Sequence, residues 1–358
     1  MLFLVFGPFV VSMLIASFSI PAIIKVADLK HLMDEPDSDR KLHSNRTPTL
    51  GGIAIFAGTL FSFSAFTDYL STSEVKFMIP ALVLLFFAGM KDDILILSPF
   101  KKLGTQIFCA MLITILGDLR LTSLWGMFGI SEIAPLVGIT LSSLVIVALI
   151  NAFNLIDGVD GLAGGLGIIA AIFFGIWFTI ASSPTMTILS FSLAGSLLGF
   201  LIYNFRKAKI FMGDTGSMIL GFIIAILALR FIEANRIPGF ETSPYYIKAA
   251  PGVAVAAVII PLLDMVRVFF FRILRKRSPF TADRNHIHHA LLDLKMSHVK
   301  ISLILYTASI FAIALSLLLR QMRSMDLVII LIVTFMTIKV ATLRYRTRCC
   351  AKRKTATK

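Results

Sequence analysis

Eleven long apolar runs separated by short polar segments constrain this chain more than any other feature. They lie near 2–25, 50–67, 77–90, 104–118, 135–153, 161–181, 185–203, 213–232, 249–271, 301–319 and 326–343. A helix of about 20 apolar residues crosses a hydrocarbon core of about 30 Å and satisfies its own backbone hydrogen bonds there. The pattern predicts an all-α, polytopic integral membrane protein of about 11 transmembrane helices, with the lipid bilayer as its first partner. A soluble reading fails on composition. Of the 358 residues 57% are hydrophobic and 15% charged, and 31 are Phe, more apolar surface than one soluble domain of this size can hide.

Basic residues are retained on the cytoplasmic side of a membrane. Segments 28–49, 91–103, 154–160, 204–212, 272–300 and 344–358 carry 24 Lys and Arg, whereas the alternate segments 68–76, 119–134, 182–184, 233–248 and 320–325 carry 6. The first set is therefore cytoplasmic, with the N-terminus outside and the C-terminus inside. This divides the chain into a single transmembrane catalytic domain, 1–343, with its site on the cytoplasmic face, and a basic cytoplasmic tail, 344–358, suited to anionic headgroups. The net charge of +14 sits beside helix ends, without an extended basic face interleaved with aromatics, so no nucleic acid partner is expected. The first run lacks a basic leader, which predicts a retained span. Cys109, Cys349 and Cys350 build neither a disulfide framework nor a metal site. Gly161 with Gly165, and Gly195 with Gly199, are spaced for close helix packing.

Four polar islands fall on the predicted cytoplasmic side. Adjacent carboxylates at Asp92-Asp93 repel each other, so they either cap a solvated helix end or share a cation, a proton or a basic partner. Between Asn151 and Gly161 stand two Asn and two Asp (Asn151, Asn154, Asp157, Asp160), more oxygen donors than a structural turn needs and suited to a hard cation or a nucleoside. Phe211 to Ser217, with Asp214, opens the eighth run after Arg206, Lys207 and Lys209. N-capping would explain its Asp, Thr and Ser, and so would a diphosphate held with Mg²⁺ at a helix N-terminus. The stretch from Ser278 to His289 contains Arg284, His286, His288 and His289. It could ligate zinc or hold phosphate, and the neighbouring arginines favour the anion. Carboxylates fit for Mg²⁺ (Mn²⁺ substituting), basic groups fit for phosphate and apolar helices fit for a lipid chain together specify phosphoryl transfer between a soluble diphosphate and a lipid phosphate.

The ordered set Thr47-Pro48-Thr49-Leu50-Gly51-Gly52, Asp92-Asp93, Asn151 to Gly161, Phe211 to Ser217 and His286-Ile287-His288-His289 resembles the polyprenyl-phosphate N-acetylhexosamine-1-phosphate transferases from about Asp34 to Leu292. The Ser-Pro-Phe-x-x-Asp-Arg-x-His-Ile-His-His string is similar to that of the bacterial branch making undecaprenyl-diphospho-GlcNAc. The resemblance implies transfer of GlcNAc-1-phosphate from UDP-GlcNAc to undecaprenyl phosphate with release of UMP, in the bacterial inner membrane, as the first lipid-linked step of surface polysaccharide (O-antigen, common antigen or teichoic acid) assembly. It assigns Asn154 and Asp214 to the metal. Asp92, Asp93 and Asp157 become catalytic candidates, with Asp92 proposed to deprotonate or position the lipid phosphate. Substrate contacts fall to Lys102, Asp160, Phe211, Gly213, Arg284, His286, His288 and His289. A homodimer is compatible with this reading. Other donors, UDP-MurNAc-pentapeptide among them, are alternatives, although Ile96 stands where that branch usually has Lys. A transporter or flippase of lipid-linked sugars is the rival from another class, and its charges should line a path near the bilayer midplane.

Overall fold

The computed structural model describes residues 2–32, 47–67, 73–95, 97–274, 291–292 and 294–337. Its helices are α1 (Leu2–Leu29), α2 (Gly51–Phe66), α3 (Ser73–Leu95), α4 (Pro99–Met111), α5 (Pro135–Ile156), α6 (Leu162–Ile180), α7 (Pro184–Asn204), α8 (Gly213–Ala234), α9 (Ala250–Ala257), α10 (Ile259–Leu274), α11 (His298–Leu318) and α12 (Ser324–Thr337). No strand forms among the described residues, where β pairing is confined to isolated bridges such as that between Ser123 and Glu132.

Every predicted run contains helix, yet among the described residues seven helices are long and apolar enough to cross a membrane, or eight if the bent pair α9–α10 is one span. That is fewer than the eleven expected. At 16 residues, α2 is about 24 Å long, short of a 30 Å core when upright. The run near 249–271 is broken by an 83° bend between α9 and α10. Pro261 accounts for the position of the break: it has no N–H to donate, and its ring crowds the carbonyl four residues back, at Ala257. The run near 104–118 begins earlier, at Pro99 behind Ser98, and its last turn widens into a π segment, Leu112–Leu116.

Helix α8 is the axis of the bundle, enclosed by α2, α3, α5, α6 and α9 and buried along almost its whole length. By contrast, α1 buries only a narrow stripe, Pro8, Ser12, Ala16, Ile20 and Ala27, and packs along α7. Lipid is as apolar as leucine, so helices in a bilayer join through small residues and hydroxyls rather than through the hydrophobic effect. Gly195 and Gly199 let α7 approach the Phe9 and Met13 carbonyls of α1, and Thr59 meets Ser196 at 2.6 Å. At the end of α8 away from Gly213, Glu233 accepts from Thr122 N (3.0 Å) and Thr122 Oγ1 (2.6 Å), pinning the 117–134 connection.

Two helix boundaries decide where the acidic and amide side chains stand. Helix α3 runs past the predicted residue 90 to Leu95, so Asp92 and Asp93 lie on its last turns. Helix α5 runs past the predicted residue 153 to Ile156, so Asn154 is helical rather than in a loop, on the same helix as Asn151.

Candidate functional site

The site is assembled on a backbone junction. Residues 48–52 pair with 211–212: Phe211 N donates to Pro48 O, Gly51 N to Phe211 O and Gly52 N to Met212 O, each at 2.8 Å. This gives the Thr-Pro-Thr-Leu-Gly-Gly string a structural task, locking the start of α2 to the start of α8. Gly213 follows at φ +70°, and a Cβ there would lie 2.1 Å from Thr49 O and 2.7 Å from Asp93 Oδ1, so only glycine fits.

Asp93 caps α8 from another helix. Its Oδ1 accepts from Asp214 N at 2.6 Å, and its Oδ2 accepts from Thr215 N at 3.1 Å and Thr215 Oγ1 at 2.6 Å. A carboxylate on the free N–H groups of a helix start satisfies donors and meets the positive end of the helix dipole. Neighbouring residues on a helix point about 100° apart, so Asp92 faces elsewhere. Its Oδ1 accepts from Leu97 N at 2.5 Å and its Oδ2 lies 3.0 Å from Lys102 Nζ.

Lys102, at the start of α4, bridges two carboxylates, because its Nζ is also 2.6 Å from Asp214 Oδ2. The other oxygen of Asp214, Oδ1, accepts from Asn154 Nδ2, which also donates to Ser217 Oγ at 2.9 Å. Asp214 is thus clamped from α4 on one side and α5 on the other. Asp157, in the turn after α5, makes no hydrogen bond or ion pair among the described residues. Desolvation first, then the carboxylates of Asp214, Asp93 and Asp160, push its carboxyl well above the ordinary 3.8.

Asp160 is only 6% exposed. His298 Nδ1, at the start of α11, lies 3.3 Å from its Oδ1, and Ala208 N donates to its Oδ2 at 3.4 Å. Its backbone carbonyl accepts from Ser302 Oγ at 3.0 Å. Next to it, Gly161 N donates to Asn204 Oδ1 at 2.7 Å, and the Gly161 carbonyl accepts from Tyr306. Asp160 therefore ties the 157–161 turn to α11 and to the 205–210 connection.

The structure thus brings Asp92, Asp93, Lys102, Asn154, Asp157, Asp160, Gly213 and Asp214 to one end of the bundle, with Phe211 in the junction that carries Gly213. Arg284, His286, His288 and His289 lie outside the described residues. Thr215, Ser217, Asn204, His298 and Gln106 were not singled out from the sequence. Thr215 and Ser217 were visible there as part of the 211–217 island, whereas His298, in a polar stretch with no motif, gave no signal.

Among the described residues no group of three or more His, Cys, Asp or Glu is gathered so as to hold a metal ion by itself. The donor chemistry nevertheless fits a hard cation. Asp92 and Asp214 already share one positive charge, that of Lys102. Asn154 uses its nitrogen within the protein, leaving its oxygen as the atom a metal would take. A few carboxylate and amide oxygens completed by water and substrate phosphates is the pattern Mg²⁺ prefers.

Apolar spanning helices with carboxylates, a lysine and amides at one end of the bundle define a multi-pass membrane protein with a polar site on one face. Residues 75–232 match the model of the family described as Glycosyl transferase family 4. The undecaprenyl-phosphate alpha-N-acetylglucosaminyl 1-phosphate transferase of Escherichia coli (strain K12) is 33% identical over 276 residues, 75% of this chain and 71% of the relative. A probable undecaprenyl-phosphate N-acetylglucosaminyl 1-phosphate transferase of Bacillus subtilis (strain 168) is 33% identical over 302 residues, 83% of this chain and 80% of the relative. The Yersinia pestis relative bearing the same name as the E. coli one is 30% identical over 274 residues. The chain belongs to glycosyl transferase family 4.

Proposed function

We propose that the protein transfers an N-acetylhexosamine-1-phosphate, GlcNAc-1-phosphate, from UDP-GlcNAc to undecaprenyl phosphate and releases UMP, as the first membrane step of surface polysaccharide assembly. The names of the E. coli and B. subtilis relatives support the substrates. The observation that carries the chemistry is the clamp on Asp214, with Lys102 shared between Asp92 and Asp214 and Asn154 on the remaining oxygen. A lipid phosphate oxygen attacks the β-phosphorus of the nucleotide sugar, and the bond to UMP breaks. Lys102 holds the phosphate charge near Asp92, whose carboxylate orients the attacking group. The lipid phosphate is largely ionised near pH 7, so little base catalysis is required of Asp92. Asp157 and Asp160, with Phe211 and Gly213, line the nucleotide side, and Arg284, His286, His288 and His289 contact the sugar and diphosphate. Asn154 and Asp214 would hold Mg²⁺, or Mn²⁺ in its stead, whose chemistry is to neutralise charge on the diphosphate as UMP departs.

In this reading the chain spans the bacterial inner membrane eleven times, N-terminus outside, with the site and the 344–358 tail in the cytoplasm. A homodimer is the assembly to test by mass in detergent. Purified protein given UDP-GlcNAc, undecaprenyl phosphate and Mg²⁺ should release UMP, and Asp214→Asn or Asp92→Asn should abolish the release. Turnover that survives chelation, or a site reached by labels applied from outside the cell, would sink the proposal. A screen of UDP-hexosamines with the same readout fixes the donor.

A further inference from the structure

Gln106 lies on α4 four residues beyond Lys102, and Asn151 lies on α5 three residues before Asn154. Residues at these spacings share a helix face, so the pair sits about one turn beneath the two groups that clamp Asp214. Asn151 Nδ2 donates to Gln106 Oε1 at 2.6 Å and to Val147 O at 2.8 Å. This bond orients the Gln106 amide, oxygen toward Asn151. Gln106 is 1% exposed, yet its Nε2 meets no acceptor among the described residues. Packing alone does not call for a buried donor with no partner, and a leucine would fill similar space without one. What glutamine supplies here that leucine cannot is one acceptor, aimed across the helix interface at Asn151.

We propose that Gln106 is a positioning residue for the transfer reaction, an inference that rests on the proposed transferase function. Its bond to Asn151 sets the register of α4 against α5. Asp214 is gripped by Lys102 from α4 on Oδ2 and by Asn154 from α5 on Oδ1, so a shift between these two helices opens the clamp. Among the described residues Gln106 hydrogen-bonds neither Asp214 nor Asp92, and it acts through Lys102 and Asn154.

The decisive variant is Gln106→Leu, because it removes the acceptor and the unpartnered donor together. Those losses offset each other in stability, so the melting temperature should stay within about 2 °C of the parent. Misplacement of reacting groups by about 1 Å costs up to roughly a hundredfold in rate, so kcat should fall about ten- to a hundredfold. KM for the UDP-sugar should change less than kcat, because the proposed nucleotide contacts Asp160, Phe211 and Gly213 lie on neither α4 nor α5. Exchanging the pair, Gln106→Asn with Asn151→Gln, restores the combined side-chain length and should recover most of the lost turnover, which neither single change retains. The proposal is overturned if Gln106→Leu turns over like the parent, if its loss of rate follows a loss of melting temperature, or if the exchanged pair is no better than the single variants. A parent protein that releases no UMP counts against the proposed function instead. The register is then read from spin labels at the exposed Ile107 and Leu144, whose distance distribution shifts in Gln106→Leu if the bond sets it and is unchanged if the inference is wrong.

Discussion

Replacing Asp93 by Asn separates a helix cap from a reacting group. In the parent, Oδ1 takes the Asp214 N–H and Oδ2 takes both the N–H and the hydroxyl of Thr215, a residue with no exposed surface. An asparagine that keeps its oxygen on the Asp214 N–H turns its NH₂ toward Thr215. The hydroxyl can rotate to accept from that group, but the Thr215 N–H cannot, and it is left buried without an acceptor. An orphaned donor costs about 1–3 kcal/mol. The loss is therefore about 1–3 kcal/mol, which at about 1.3 °C per kcal/mol for a chain of 358 residues lowers the melting temperature by about 1–4 °C. Thermal unfolding of the purified protein in detergent, followed by intrinsic fluorescence, measures it. Asp92→Asn is the control, since Lys102 keeps Asp214 and no helix start loses its cap. It should lose turnover with a smaller change in melting temperature. The reasoning is refuted if Asp93→Asn unfolds with the parent yet no longer releases UMP, because Asp93 would then act on substrate and not on α8.

The same geometry yields three further outcomes. Gly213→Ala meets the Thr49 carbonyl at 2.1 Å in a left-handed backbone, so it should fail to accumulate as folded protein on size exclusion, and normal yield would contradict the junction between residues 48–52 and 211–212. Lys102→Met leaves Asp92 and Asp214 facing each other without their shared cation. Its rate of UMP release should fall by about 10²–10³, as for loss of one preorganised charge-stabilising donor, and near-parental turnover would remove Lys102 from the site. Asp157 has a folded pKa raised above its ordinary 3.8, so its contribution to stability is fully present below that value and is lost as pH rises through the folded pKa. Asp157→Asn should therefore melt above the parent by a margin that widens from pH 4 upward when measured without divalent metal, and a margin independent of pH would show that Asp157 is not desolvated.

The sequence by itself determined the helices and the inventory of chemistry. Apolar runs of spanning length form helix because a chain in lipid must satisfy its own backbone, a requirement that acts within each run. The islands around Asp92, Asn154, Asp157 and Asp214 stood out because charge beside such runs is costly and therefore conspicuous. Even the proline that breaks the ninth run is a local signal, although its 83° consequence was missed by reading hydropathy alone.

Partnership was decided by tertiary structure. Asp92 and Asp93 are adjacent and chemically identical, yet one faces Lys102 and the other caps a helix that begins 120 residues later. Asp160 turns toward His298, 138 residues away, and the 47–52 string serves as a backbone lock on the start of α8. Hydrogen bonds act over about 3 Å and carry no trace along the chain. Which donor meets which acceptor therefore depends on how the helices pack, while the sequence records only that donors and acceptors are present.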